Sequence, residues 1–323
     1  GQLVTLAAAS VLRLDAGARI ELAGEAYAGG RQLDGAGAQM QLRAALDMVV
    51  AAHLSASGSL QVLAGTDVAG NGLTVSSAGR LGVGDADGQI VVSADGDLIL
   101  RGNVVAEGEG ADITLSSRSQ VVVSARVRGD DQVRVEGGTD AATRIGVLID
   151  TLVLDADGKQ ISGGVLDTGE GGTVTVRAAD GITISHVIGE RVDGSSPTRA
   201  HVKDVVIAST SGDVNVMRNI EVQESVAITG ASINMTAGSH VFAFGEDSSI
   251  YMQARTRLVL SSASAAGSDS PIVKAGSLVH LAAPTVVING NVQVDQDAEH
   301  GLLLVNAGTS LTLGGFLGSR HDV

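Results

Sequence analysis

Apolar residues recur along the chain mostly in pairs separated by one residue, which is the period of a β-strand with one buried face. Eight such pairs follow one another in the first half of the chain: Leu60/Val62, Leu73/Val75, Leu81/Val83, Ile90/Val92, Leu98/Leu100, Ile113/Leu115, Val121/Val123 and Val133/Val135. Short runs of Gly, Asp, Asn and Ser separate the pairs, for example at residues 85–88 and 93–96. Because these residues favour turns, the pattern predicts many short strands joined by tight bends.

A longer period lies above this alternation. Three consecutive strands recur with an offset of 23 residues, since Ile90, Leu98 and Val104 are followed by Ile113, Val121 and Val127. Later the offset is near 21, as in the pairs Val205/Val226, Ile207/Ile228 and Ile220/Val241. In a parallel solenoid each strand pairs with its counterpart one coil later, so the repeat length equals the coil perimeter. We therefore predict an all-β solenoid with three short strands per coil, 19–23 residues per coil and about 15 coils.

The repeat predicts a single rod over residues 1–323. Since the chain opens at Gly1 without an initiator Met, we expect it to be a fragment of a longer protein. Three segments interrupt it and are predicted to be irregular or extruded loops, near residues 24–56, 188–204 and 261–271. Residues 40–52 would also suit a short helix, although we favour strand there. Insertions at the corners of solenoids are where such rods usually carry binding function.

Composition agrees with a narrow core of small branched side chains. The chain has 44 Gly, five Phe and Tyr residues, no Trp and no Cys. Without cysteine it has no disulfides, thiolate metal sites or cysteine nucleophiles. The formal net charge of −15 disfavours nucleic acid and anionic membranes as partners. No run of 18 apolar residues is present, so we predict no membrane span.

Three segments carry a resemblance to a known family: residues 88–100 (GQIVVSADGDLIL), 172–184 (GTVTVRAADGITI) and 279–290 (VHLAAPTVVING). They resemble the repeats of filamentous-haemagglutinin-like bacterial adhesins of the two-partner-secretion type. The resemblance implies a right-handed parallel β-helix, export through an outer-membrane translocator, and a secreted or cell-surface location. The Asn-Pro-Asn motif of the family's transport domain and a carboxy-terminal barrel are missing. We therefore expect a shaft segment from the interior of a larger exoprotein.

The most specific candidate site is the tripeptide Arg128, Gly129 and Asp130, which many adhesive proteins present to integrins. It lies at a predicted corner between Val127 and Val133, where the competing interpretation is an ordinary turn. The Asp-Ala-Asp-Gly copies at residues 85–88 and 155–158 evoke calcium loops, but further oxygen ligands are missing, so we interpret them as turns.

Catalytic and cofactor signals are weak. Asp130, Asp131 and Asp150 could be neighbours in successive coils, as the paired carboxylates of a glycosidase would be, but the acidic residues are spread over all corners. The seven histidines show no metal-binding spacing. We therefore expect neither an enzyme nor a cofactor or metal site.

The leading hypothesis is a structural and adhesive rod, with attachment to host cells, other bacteria or matrix as its role. Its expected partners are a surface receptor or a glycan, and further copies of itself, end to end or side by side. A polysaccharide-binding or polysaccharide-cleaving β-helix, including phage-fibre-like modules, is the second hypothesis. An autotransporter passenger domain acting as an aggregation factor is the third.

Overall fold

The computed structural model describes residues 3–5, 9–29, 37–65, 72–139, 144–150, 153–154, 160–162, 165–189, 200–261, 271–295 and 301–318. Within these ranges every regular element is a β-strand, and no helix occurs. The all-β prediction is therefore confirmed. The short helix that residues 40–52 would also suit is not formed.

In chain order, the strands of the first half are β1 (Leu3–Thr5), β2 (Val11–Ala16), β3 (Ile20–Leu22), β4 (Ala26–Ala28), β5 (Gln39–Ala44), β6 (Met48–Val50), β7 (His53–Ala56), β8 (Ser59–Ala64), β9 (Leu73–Val75), β10 (Arg80–Val83), β11 (Gln89–Ala94), β12 (Leu98–Leu100), β13 (Val104–Ala106), β14 (Asp112–Ser117), β15 (Val121–Val123), β16 (Arg126–Arg128), β17 (Gln132–Gly137) and β18 (Ile145–Ile149). Those of the second half are β19 (Val153–Leu154), β20 (Gln160–Ser162), β21 (Val165–Asp167), β22 (Thr173–Ala178), β23 (Gly181–Ile184), β24 (Asp204–Ser209), β25 (Val214–Val216), β26 (Ile220–Val222), β27 (Ser225–Met235), β28 (Val241–Ala243), β29 (Ser249–Leu260), β30 (Pro271–Ala275), β31 (Leu278–Ile288), β32 (Asn291–Val294), β33 (Leu302–Leu313) and β34 (Leu317–Gly318).

The strands stack in three parallel ladders. The first ladder runs β2-β5-β8-β11-β14-β17-β22-β24-β27-β29-β31-β33. The second begins β3-β6-β9-β12-β15-β18-β23-β25 and continues in the second halves of the long strands from β27 onward. The third runs from β1 to β21 and from β26 to β34, with Ile188 bridging the two parts through Leu166 and Ile220. Among the described strands only β19 and β20 pair antiparallel.

The offsets seen in the sequence are register pairs in the structure: Ile90–Ile113, Leu98–Val121, Val104–Val127, Val205–Val226, Ile207–Ile228 and Ile220–Val241. Each strand of the three ladders therefore pairs with the equivalent strand of the next level rather than with its neighbour in sequence. This arrangement excludes the antiparallel meander, in which consecutive strands would pair.

The core is a set of stacked apolar columns between the ladders. One column follows a single position of the first ladder through every level: Leu12, Met40, Leu60, Ile90, Ile113, Val133, Val174, Val205, Val226, Ile250, Val279 and Leu303. Its ten inner members are buried, and its two end members are partly exposed. Because like packs on like, the branched side chains fill the narrow interior without aromatic rings.

The steps between levels are less even than predicted. Gln39 pairs with Ser59, a step within the expected range, whereas Gln132 pairs with Thr173, which is 41 residues later. Among the described residues the first ladder contains 12 strands, and the expected number of about 15 coils stays a prediction.

Two of the predicted irregular segments lie largely outside the described residues, at 190–199 and 262–270, as do residues 30–36 of the first. The rest of the segment at 24–56 corrects the expectation of an irregular loop. It contains β4, β5, β6 and β7, each in parallel register with the next level. In β5, buried positions alternate with exposed or half-exposed ones, which explains this regular pairing because one face can join the core.

From residue 225 onward, the bend between the first two ladders disappears and long strands replace two short ones. Strands β27, β29, β31 and β33 have 11 or 12 residues and pair over both halves. The register shifts once in each pair, for example between Gly230 and Ser232, so a β-bulge replaces the bend. The cross-section of the stack therefore changes along its length.

Candidate functional site

The tripeptide at Arg128, Gly129 and Asp130 forms a tight corner between the third and the first ladder. Arg128 ends β16, is half-buried and pairs in register with Asp167. Gly129 is buried, and a Cβ atom there would lie 2.7 Å from the backbone oxygen of Gln132. Only glycine fits this position without a shift of the backbone.

Asp130 serves the same corner. Its carboxylate Oδ2 accepts a hydrogen bond from the backbone N–H of Gly110 at 2.9 Å, and its own N–H donates to the backbone oxygen of Ala111 at 2.9 Å. The backbone N–H of Gly169 donates to the backbone oxygen of Asp130 at 2.9 Å. Asp130 therefore ties together three successive levels of this corner. Integrin-type binding by the tripeptide stays a prediction.

The Asp-Ala-Asp-Gly copy at residues 85–88 forms a turn that hydrogen bonds of Asp85 and Gly88 hold in place. The Asp85 carboxylate accepts a hydrogen bond from the backbone N–H of Gly37 at 2.6 Å, and the N–H of Gly88 donates to the Asp85 backbone oxygen at 3.1 Å. Asp87 takes a φ of 54°, which the tight turn requires. The second copy, at 155–158, lies outside the described residues. In the part of the chain that the structure describes, no group of three or more His, Cys, Asp or Glu residues could hold a metal ion.

Buried carboxylates distinguish the outer face of the third ladder. Asp167 points away from the core, because it alternates with the core residue Leu166, yet it is fully buried. Its Oδ2 lies 3.1 Å from Nη2 of Arg126 and 3.9 Å from Nδ1 of His201. Its Oδ1 has no hydrogen-bond partner. Burial of a carboxylate is costly unless it is paired, so Arg126 is the main compensation here.

A second buried carboxylate lies two strand steps along the same row. The register Leu166–Ile188–Ile220 places Glu221 level with Asp167. Glu221 is 5% exposed, and its Oε1 lies 2.5 Å from Nε2 of His240. Two acid–histidine pairs thus occupy the outer face of the third ladder.

An aromatic row, formed by His240, Phe242 and Phe244, continues from the second pair. The rings of His240 and Phe242 stack with centroids 4.1 Å apart and planes at 22°. Phe244 packs edge-on against Phe242, with centroids 6.1 Å apart and planes at 76°. Phe242 lies in register between Glu221 on one side and Lys274 on the other.

Charged and titratable side chains flank the aromatic row. Nζ of Lys274 lies 2.7 Å from Oδ2 of Asp295, and the carboxylate of Glu221 faces the imidazole of His240. The side chains of Phe242 and Phe244 are half-buried, whereas Val241 and Ala243, which alternate with them, are core residues. The two phenyl rings therefore lie on the outer face of the ladder and do not pack in the core.

Two other histidines have perturbed titration. Burial and the nearby Arg80 guanidinium lower the pKa of His53, which also contacts Tyr27 through a 3.3 Å interaction between Nδ1 and the hydroxyl. Burial and Arg218 lower the pKa of His186. Both rings therefore favour the neutral form.

Sequence reasoning missed the aromatic row, although its signal was present. His240, Phe242 and Phe244 alternate along the chain, as outward-facing strand residues do. The predicted pairing of Ile220 with Val241 already places Glu221 beside Phe242. The alternation and the predicted pairing together would have placed the aromatic row beside Glu221.

Comparisons of the chain with protein-family models, curated proteins and solved structures found no match. The similarity to filamentous-haemagglutinin-like repeats therefore stays a prediction. No helix among the described residues is long and apolar enough to cross a membrane.

Proposed function

We propose that this chain is the shaft of an adhesive bacterial exoprotein, built as a right-handed parallel β-helix with three strands per coil. The observation that carries the proposal is the first ladder, in which 12 of the described strands stack in parallel, each paired with the next. At about 4.8 Å per strand this stack is roughly 53 Å long. A body of this kind holds binding surfaces at a distance from its anchor, and each level contacts only its neighbours.

In this proposal the rod is exported through an outer-membrane translocator and acts on the cell surface or after secretion. Its partners are receptors or glycans on host cells, other bacteria or matrix. The net charge of −15 supports a protein or glycan partner over nucleic acid.

Stacking between copies is part of the same proposal. Among the described strands, β33 pairs on one side only, with β31. Apolar side chains are exposed at this end of the stack: Leu302, Leu304, Leu311, Leu313 and Phe316. An open strand edge with apolar neighbours favours addition of another parallel strand, which a following coil of a longer protein or a second copy of the chain would supply.

The test immobilises the purified chain on beads and counts bound epithelial and bacterial cells, while small-angle scattering measures its shape. We expect an elongated particle and saturable attachment that soluble chain competes away. A compact particle, or attachment no greater than to albumin-coated beads, would contradict the proposal.

The same assay examines the tripeptide. Asp130→Glu is compared with Asp131→Glu, which changes the adjacent acid of the same corner. If the tripeptide binds an integrin, only Asp130→Glu lowers attachment while both variants melt at similar temperatures. Equal attachment by both variants assigns Asp130 to the corner alone.

A further inference from the structure

We propose that the outer face of β29 at Arg255, Thr256 and Arg257 binds the carboxylate of an acidic sugar unit. The inference deepens the proposed attachment function, and rests on it, by naming the ligand class. It is carried by a β-bulge that exposes three consecutive residues, by two guanidinium groups without an acidic partner, and by hydroxyl groups in register beside them.

The bulge lies in β29, which has one more residue here than either neighbouring strand. Ala254 pairs with Gly230 of β27. Three residues later Arg257 pairs with Ser232, which is only two residues after Gly230, and the register with β31 shifts at the same place. A bulge redirects side chains locally. Residues 255–257 are therefore all exposed, whereas buried and exposed positions alternate in the preceding part of the strand.

Both arginines are accessible to a ligand. The residues before Arg255 and after Arg257 are buried in the core, so both guanidinium groups lie on the same outer face. Neither of them forms an ion pair with the described residues, whereas the exposed Arg118 pairs with Asp95 at 2.7 Å. A guanidinium is a planar donor that can bind both oxygens of one carboxylate.

Hydroxyl groups flank the arginines on neighbouring strands. Arg257 has Ser232 as its register partner on one side and Thr285 on the other. Ser310 lies one strand further, so the row is about 14 Å long. The Thr256 hydroxyl donates to a backbone oxygen at 2.8 Å and accepts from the Ser232 hydroxyl at 2.9 Å. The lone pairs of Ser232 therefore stay available to a sugar hydroxyl.

The pairing of β29 favours a sugar over a peptide. β27 and β31 pair with it on both sides, so its edges offer no row of open backbone groups for an added peptide strand. Recognition on this face depends on side chains, and these are guanidinium and hydroxyl groups. A sugar acid presents the complementary carboxylate and hydroxyl groups on one small unit.

Charge favours a single carboxylate over a densely sulfated chain. The protein has a formal net charge of −15, so a polyanion is repelled by much of its surface. Screening at physiological salt limits this repulsion to about 8 Å. Asp213, whose carboxylate accepts the backbone N–H of Ser232 at 3.0 Å, lies on the far side of β27 from Arg257. A singly charged unit held by both guanidinium groups therefore meets the least repulsion.

The experiment applies the complete chain to an array of neutral, sulfated and carboxylated glycans, and then titrates it calorimetrically with an oligogalacturonate. The methyl ester of the same oligogalacturonate is the matched ligand, since it keeps the sugar and loses the charge. An oligo-aspartate peptide is titrated in parallel.

The variants separate charge from geometry. Arg255→Gln and Arg257→Gln each remove one guanidinium, and Arg257→Lys keeps the charge without the planar donor. Arg177→Gln is the matched control, because Arg177 is exposed on the outer face of the same ladder but lies three strand steps away, in register with Glu136.

We expect the oligogalacturonate to bind and its methyl ester not to bind. Each Gln variant should weaken binding roughly tenfold, because a charged hydrogen bond is lost at an exposed site. Arg257→Lys should also bind more weakly, and Arg177→Gln should bind as the unchanged chain does. All variants should melt at similar temperatures, since each changes an exposed side chain.

The inference is overturned if no carboxylated glycan binds, or if the methyl ester binds equally well. It is also overturned if Arg177→Gln weakens binding as much as the other Gln variants, if Arg257→Lys binds normally, or if sulfated glycans or the oligo-aspartate peptide are preferred. Cell attachment without binding of carboxylated glycans would refute only this inference. Binding of these glycans without cell attachment would refute only the adhesive function.

Discussion

Replacing Leu115 by alanine tests the stacked core directly. Leu115 is fully buried in β14 and pairs in register with Val92 on the level before and Val135 on the level after. Alanine therefore removes contacts with two neighbouring levels at once. Because both neighbours are held in their own ladders, the space left behind cannot close fully.

The expected cost follows from that confinement. Buried leucine-to-alanine changes cost about 2–5 kcal/mol, and sites that cannot collapse lie toward the upper end. We expect about 3–4 kcal/mol for Leu115→Ala. Leu303→Ala is the matched control, because Leu303 occupies an inward-facing position in the same ladder but lies at the end of the stack and is partly exposed. It should cost about half as much, since less apolar surface is buried.

Urea unfolding followed by far-ultraviolet circular dichroism measures both variants. Stacked repeats can unfold locally, so native-state hydrogen exchange of β11, β14 and β17 provides a local reading of the same change. Equal costs for Leu115→Ala and Leu303→Ala would refute the idea that stability depends on being packed between two levels. So would a loss of protection spread evenly over all strands.

Three further perturbations have defined outcomes. Burial and the neighbouring Asp131 raise the pKa of Asp112, so ionisation of this carboxyl group lowers the stability of the fold above that pKa. Asp112→Asn should therefore raise the melting temperature at pH 7 and leave it unchanged below about pH 4. Burial and Arg80 lower the pKa of His53, so the unfolded chain binds a proton there more tightly than the folded chain does. The melting temperature should therefore fall as the pH drops below about 6.5, and His53→Gln should reduce that fall. A Cβ atom at Gly108 would lie 1.7 Å from a backbone oxygen, so Gly108→Ala should destabilise by about 1–3 kcal/mol in urea unfolding.

Much of the ladder register was predictable because the side-chain period and the coil period are both visible in the sequence. Ile90 and Ile113 occupy equivalent positions in adjacent levels, and their spacing directly gave the pairing. A one-residue slip would turn Ile113 out of the core, so the pattern leaves little freedom in register.

Other features depended on information that local pattern does not contain. The 41-residue step from Gln132 to Thr173 includes segments with their own short strands, which interrupt the period. The burial of Asp167 and Glu221 was also not predictable, because an outward-facing carboxylate is normally solvated. Arg126 and His240, which lie beside them, offset part of the free-energy cost of that burial.

The pairing of each strand with its equivalent in the next level has a consequence for how such a molecule can change in length. Contacts join residues a few tens of positions apart wherever they lie in the stack, as between Gln89 and Asp112 or Ser225 and Ser249. The mean sequence separation of contacts therefore does not grow when levels are added, so a longer version meets no new loop-closure barrier in folding. A whole level can be inserted or deleted as one unit, because the core columns on either side can pack on each other again. The length of the stack can therefore change without a change in the fold.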